Sequence, residues 1–343
     1  MQDSQQTNAA AAPRAAGQAL VLGATGGIGG EVARQLRQAG WHVRAMKRGV
    51  QATVDGAGIE WVPGDALNAA DVRAAAQGCS VIVHAVNPPG YRRWAEWVLP
   101  MMDNTIAAAR ALGATVVLPG TVYNYGPDVF AQAIREDAPQ NPVTRKGAIR
   151  VALEQRLADA SASGEMRVII VRAGDFFGPK AGNNWLAQGM VKPRQAVTAV
   201  QLPSAPGVGH QYAYLPDVAA TMLALLQRRH ELPAFARFHM AGYWDADGRE
   251  FGRAIQRVVA RRGGKSPALK SFPWWLMRLA SPFVATLREL LEMRYLWTTE
   301  VRMDNQQLVR VLGKEPHTPL EAAIEATLEG LGCLQVGKAG LRV

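Results

Sequence analysis

Leu22-Gly23-Ala24-Thr25-Gly26-Gly27-Ile28-Gly29 lies directly between an apolar run at residues 19–22 and a stretch with Ile28, Val32, Leu36 and Ala39 at helical spacing, which stops at Gly40. The glycines at 23, 26 and 29 are spaced GxxGxxG. Glycine permits the tight strand-to-helix turn, and a loop without side chains lets a pyrophosphate lie against backbone N–H groups at the positive end of the helix. A second strand, residues 41–46, follows at once. Strand, loop, helix and strand in that order predict a dinucleotide site, with Gly23, Thr25, Gly26, Gly27, Ile28 and Gly29 as its contacts.

Outward from the loop the alternation continues. Residues 59–63 read as a third strand, Asn68 as the cap of a helix carrying Val72 and Ala76, and 81–86 as a buried strand. Residues 103–112 read as helix, 115–118 as strand, 144–160 as helix and 167–171 as a sixth strand. This predicts an α/β fold, a doubly wound parallel sheet of the Rossmann kind over 19–174 with a smaller C-terminal substrate lobe. Residues 1–18, rich in Ala and Gln, read as a disordered tail. The remainder, 175–343, reads as a mixed lobe with some segments returning to the core. Within it, 175–211 reads as loop over the carboxyl edge of the sheet, 216–229 as helix, 237–240 as strand, and Ser281-Pro282 as a helix start followed by Phe283, Leu287, Leu290, Leu291 and Arg294.

Composition narrows the class. With 48% hydrophobic and 19% charged residues among 343, the bulk of the chain is neither disordered nor collagenous. No run approaches the roughly 18 apolar residues of a bilayer crossing, so no integral membrane segment and a cytoplasmic location are expected. Two cysteines, Cys79 and Cys333, cannot form a disulfide framework or supply a four-ligand zinc site, and the six histidines show no metal spacing, so no metal is expected. A net charge of +10 favours anionic partners without choosing among them.

Where an NAD-preferring site carries an acid for the ribose 2′-hydroxyl, the end of the second strand reads Arg44-Ala45-Met46-Lys47-Arg48. Lys47 or Arg48 would grip a 2′-phosphate, so NADP (NADPH) is favoured, with NAD possible. Asp65, in Gly64-Asp65-Ala66, is placed to accept from the adenine amino group or to cap the next helix, and Ala66 and Ala85 adjoin the cofactor.

At these residues the chain resembles the short-chain dehydrogenase/reductase superfamily, specifically its extended branch with the NAD-dependent epimerase/dehydratases. The resemblance spans about 19–331. It rests on the glycine loop, Gly64-Asp65, Val83-His84-Ala85, residues 122–126, Tyr214-Leu215-Pro216-Asp217-Val218-Ala219, and Leu312-Gly313 with Pro316-His317-Thr318-Pro319-Leu320. One departure stands out. The family's Tyr-x-x-x-Lys falls on Lys146 and Arg150, counted back from Glu154, and Lys146-Gly147-Ala148-Ile149-Arg150 is similar to the K-x-x-I-R segment of the isoflavone-reductase-like branch. That resemblance implies Lys146 as acid/base, with Arg150 one helical turn away as the cation that lowers its pKa.

Thr121 occupies the family's catalytic Ser/Thr position and is expected to polarise the substrate oxygen; Tyr123 and Tyr125 are alternative proton carriers. Asn183, Asn184, Trp185 and His210 read as the substrate wall, and His84, inside an apolar strand, as a core or cofactor-side histidine. The basic stretch Arg253, Arg257, Arg261, Arg262, Lys265 and Lys270 reads as a solvated helix face, no nucleic-acid motif accompanies it, and residues 272–297 suit either a homodimer face or an ordinary core. The expected activity is NADPH-dependent reduction of a carbonyl, or similar electrophilic carbon, of a small-molecule substrate. The alternatives are a nucleotide-sugar epimerase/dehydratase and a non-catalytic NADP(H)-sensing protein.

Overall fold

Short β-branched runs alternate with amphipathic helices because each strand must bury both faces once helices cover the sheet on both sides. The computed structural model describes residues 17–88, 93–180, 182–282 and 285–334. Its first half runs β1 (Gln18–Leu22), α1 (Gly27–Gln38), β2 (His42–Lys47), β3 (Thr53–Val54), β4 (Glu60–Pro63), α2 (Ala69–Ala76), β5 (Val81–His84), α3 (Trp94–Leu112), β6 (Thr115–Gly120), α4 (Arg145–Ser161) and β7 (Arg167–Arg172). There follow β8 (Asp175–Phe177), β9 (Ala199–Leu202), β10 (His210–Tyr214), α5 (Leu215–Gln227), β11 (Phe235–His239), β12 (Tyr243–Asp245), α6 (Glu250–Arg261), β13 (Ala268–Ser271), α7 (Trp274–Ala280), α8 (Ala285–Glu292), α9 (Gln306–Leu312) and α10 (Leu320–Gly330).

The main sheet has the order β11-β7-β6-β5-β1-β2-β4-β3, parallel throughout except for β3, which pairs antiparallel with β4 at the edge. Side-chain alternation along each strand divides the core in two. Ala19 and Val21 of β1 face the layer that holds Val32 and Leu36 of α1 and Met222 and Leu225 of α5. Leu20 and Leu22 face the opposite layer, with Met102 of α3 and Leu153 of α4. Strand order reverses between β1 and β5, which pair side by side while β1 also pairs with β2. That switch point, at the carboxyl ends of the strands, is where sheets of this topology open a crevice.

Two sequence expectations are corrected and a third gains detail. The segment 175–211 is not purely loop: β8 joins β10 and β12 in a three-stranded sheet, and β9 pairs with β13. Helix α3 starts at Trp94 rather than Asp103 because it accommodates Pro100, held by packing against α2 and α4. The basic stretch on α6 is a solvent-facing helix face as expected, but its arginines are paired with acids. Arg257 reaches Glu321 at 2.6 Å, Arg261 reaches Glu321 at 2.7 Å and Glu325 at 2.8 Å, and Arg262 pairs with Glu325 and Glu329, all on α10. Arg253 pairs with Asp247 at 3.0 Å.

The tail expected over residues 1–18 lies outside the described residues up to position 16, and Gln18 already opens β1. Phe283 also lies outside them. Elsewhere Asn68 caps α2 by accepting from Ala70 and Asp71, and Thr144 caps α4 by accepting from Gly147. Cys79 and Cys333 are buried free thiols, and burial pushes Cys79 up to about 11. No helix among the described residues is long and apolar enough to cross a membrane.

Candidate active site

A cavity of about 680 Å³ opens at the carboxyl ends of β1, β2, β5 and β6. The glycine loop forms its floor. Gly23 has φ +88°, and a Cβ there would stand 2.5 Å from the Ala85 carbonyl oxygen, so only glycine lets the end of β1 lie against the end of β5. Gly26 donates to the Gly23 carbonyl at 2.9 Å and is the N-cap of α1 with no side-chain cap, leaving the first-turn N–H groups of that helix facing the cavity. Gly23, Thr25, Gly26, Gly27 and Ile28 line the cavity. Gly29 does not line it: a Cβ there would overlap the Gly23 carbonyl, so this glycine serves the packing of helix on loop.

One end of the cavity is bounded by Lys47, Arg48, Asp65 and Ala66, with Ala85 midway. Arg48 lies 3.6 Å from Asp65, both partly exposed. An uncapped helix N-terminus, a loop from which side chains are sterically excluded, and two cations at the end of β2 together fit a pyridine dinucleotide.

The other end gathers Thr121, Tyr123, Lys146, Arg150, Asp175, Asn183, Asn184 and Trp185. Lys146, 2% exposed, opens α4; its Nζ donates to the Glu289 carbonyl at 2.7 Å and pairs with the Glu289 carboxylate at 2.9 Å and that of Glu292 at 3.6 Å. Sequence reasoning missed both acids, which stand on α8, and they change the electrostatics expected for this lysine: two anions, not Arg150 alone, set its surroundings. Arg150 donates to Asn87 at 3.1 Å and lies over the Trp94 ring.

In the arrangement seen here the Thr121 hydroxyl hydrogen is already engaged. Its neighbour Asn124 donates through Nδ2 to the Glu154 carboxylate at 3.0 Å, so its Oδ1 must face Thr121, and the threonine hydroxyl donates to it at 2.9 Å. Thr121 therefore offers the cavity an acceptor. Tyr125 is fully buried, shares a 2.9 Å hydrogen bond with His239, and burial raises its pKa, so it is no proton carrier for the cavity. His210 does not line the cavity. It sits behind Trp297, stacked at 3.6 Å, with Nε2 2.6 Å from Asp175 and Nδ1 3.1 Å from the Leu296 carbonyl. The residue it orients, Asp175, faces the cavity in its place.

Beneath Thr121 runs a buried polar cluster. Arg172, fully buried, donates to both oxygens of Glu154 at 2.8 Å, to the Thr121 carbonyl, and to His239 at 3.3 Å. Glu154 was legible only as a landmark after the Lys146 motif; Arg172, directly after the buried apolar run 168–171 of β7, is the signal that a buried acid must be near.

These features agree with the comparisons to known proteins. A model of the NAD dependent epimerase/dehydratase family matches residues 19–240, more than half of the chain. The chain belongs to this family. Among solved structures it is similar to UDP-glucose 4-epimerase from Stenotrophomonas maltophila with bound NAD, at TM-score 0.70 and 15% identity, covering 92% of this chain and 98% of that one. UDP-glucuronic acid 4-epimerase from Bacillus cereus, in complex with UDP-glucuronic acid and NAD, gives TM-score 0.68 and 16% identity over the same shares. A curated 2-alkyl-3-oxoalkanoate reductase from Shewanella oneidensis is 30% identical over 100 residues, 29% of this chain and only 25% of that protein.

The protein is thus an NAD(P)-dependent oxidoreductase of the short-chain dehydrogenase/reductase type. Within the epimerase/dehydratase fold, His84 has a defined state. Thr105 donates its hydroxyl to the Met101 carbonyl at 3.1 Å, so the 2.8 Å contact with His84 requires the ring to donate from Nδ1. Burial and the nearby Arg150 cation lower the His84 pKa to about 3. A neutral buried ring lets the unfolded chain take up the extra proton below about pH 6.5. Stability therefore falls as pH drops from there toward 3, by about 2 kcal/mol between pH 7 and 5 from this ring. Urea unfolding at the two pH values is expected to show that loss, and a His84→Asn variant to show a smaller one; equal losses would contradict the assignment.

Proposed function

We propose that the protein is an NADPH-dependent reductase of a carbonyl on a small metabolite with an apolar body. The observation that carries this reading is the pair Lys47 and Arg48 at the end of β2, opposite Asp65, with no acid of β2 itself at the ribose position. The bound cofactor supplies the hydride. The chain's own residues hold and orient: N–H groups of the first turn of α1 take the pyrophosphate, and Arg48 and Lys47 take the 2′-phosphate.

Lys146 is the proposed proton donor to the carbonyl oxygen. Reduction needs an acid, and the Lys146 ammonium, buried and paired with Glu289 and Glu292, stands at the reacting end of the cavity. Thr121 accepts from a cofactor or substrate hydroxyl. Trp185, Leu290, Met293, Leu296 and Trp297 build an apolar wall that suits an alkyl chain better than a second nucleotide. The match to a 2-alkyl-3-oxoalkanoate reductase supports the same substrate class, over the portion it spans.

Fluorescence titration tests the cofactor reading. Lys47→Ala/Arg48→Ala is expected to weaken NADPH by roughly 10- to 100-fold, the loss of charge-assisted hydrogen bonds, while leaving NADH nearly unchanged. Equal affinity of the wild-type chain for NADH and NADPH would contradict it. Turnover is read with 2-alkyl-3-oxo acids and simple ketones as probes: Lys146→Met is expected to lose about 10²- to 10⁴-fold and Tyr123→Phe much less. Net NADPH oxidation with these probes favours the reductase, interconversion of UDP-glucose without it favours the epimerase, and tight NADPH binding with neither favours a sensor.

A further inference from the structure

We propose that α7 and the cations flanking it form a docking surface for the anionic face of a lipid bilayer. Among the described residues, the large hydrophobic side chains left in solvent include Trp275, Leu276 and Leu279, exposed at 66%, 52% and 65%, and all three stand on α7. The helix is firmly seated on its other side. Met277 is buried, and Trp274 donates to the Pro203 carbonyl at 2.9 Å while packing against Phe272 and Trp185. The outward apolar residues are therefore presented by an anchored element.

Charge selects the partner. Between Glu250 and Glu289 the sequence contains no acidic residue. The arginines of α6 in that interval are paired with acids of α10 and of the turn before α6, but Lys270, Arg278 and Arg288 form no ion pair among the described residues. A two-fold contact with a second copy would bring this basic patch against itself, Arg278 toward Arg278, in a protein already carrying +10. An anionic bilayer complements the same pattern: tryptophan and leucine enter the interface while arginine and lysine meet phosphate headgroups. The surface also borders the cavity, because α7 packs on α8, which supplies Glu289 and Leu290 to the cavity wall. The inference rests on this surface alone and not on the reaction proposed above.

Flotation of the full chain with phosphatidylcholine vesicles, prepared with and without phosphatidylglycerol, tests it. The expected result is binding only where phosphatidylglycerol is present, weakened by high salt. Leu276→Ser/Leu279→Ser is expected to abolish that binding, and Arg278→Glu to weaken it roughly thirtyfold, two charge units at an anionic surface, with thermal unfolding unchanged in both because the side chains are exposed. Failure of the wild-type chain to float with phosphatidylglycerol vesicles would overturn the proposal, as would flotation unaffected by both variants. So would a wild-type dimer in sizing experiments that Leu276→Ser/Leu279→Ser dissolves, without vesicle binding, which would assign the patch to a second copy.

Discussion

Gly23→Val is expected to abolish measurable binding of NADPH and NADH alike, with affinity falling more than about 100-fold. At φ +88° a branched side chain pays the left-handed cost of roughly 1–2 kcal/mol, and its Cβ would lie 2.5 Å from the Ala85 oxygen and 2.7 Å from the Val86 nitrogen. Backbone on both sides must then part, and the β1 and β5 ends that frame the crevice separate. Gly40→Ala separates the two effects: its φ is +84° with nothing within 4 Å of an added Cβ, so it is expected to cost stability of the order of 1 kcal/mol and leave nucleotide affinity intact. Nucleotide-dependent shifts in melting temperature read both variants. Retained affinity in Gly23→Val would place the dinucleotide elsewhere.

Arg172→Met is expected to destabilise the chain by about 3–5 kcal/mol, the range for removing one partner of a buried ion pair. The guanidinium is fully buried and bonds both Glu154 oxygens, and its loss strands a carboxylate that is itself only 4% exposed. Asn124 and Gln140 remain as neutral donors, with Arg237 at 3.5 Å, and these replace only part of the lost field. Adding Glu154→Gln is expected to recover part of the loss, because it removes the stranded charge and keeps an acceptor for Asn124. Urea denaturation measures both. The cluster also fixes the Thr121 carbonyl, so the same substitution reaches the cavity floor.

Local signals carried the sheet and the glycine loop into view. Glycines at 23, 26 and 29, β-branched strands and caps at Asn68 and Thr144 act within a few residues of themselves, and the elements they define appear where the periodicity puts them. The edge strand β3 and strand β8 were too short, at two and three residues, to show a period of two. What could not be read was pairing across the chain. The acids that surround Lys146 lie 143 residues and more away, and the acids that neutralise the arginines of α6 lie about 60 residues away on α10. A basic segment therefore reads as free charge until the fold brings its partners to it. His210 was misread for a related reason: its polar neighbourhood in sequence resembles a ligand wall, but Trp297, from a distant segment, stands between it and the cavity.

Lys146 and Arg48 are expected to stand at opposite ends of one bound dinucleotide. Determining the crystal structure of the chain with bound NADP⁺ tests this placement most directly, through two distances. The expected result is the 2′-phosphate within hydrogen-bond reach of Arg48, and Lys146 Nζ nearer than the Tyr123 hydroxyl to the space in front of nicotinamide C4. A 2′-phosphate directed into solvent, or a nicotinamide ring faced by Tyr123 while Lys146 stays locked on Glu289 away from it, would contradict it.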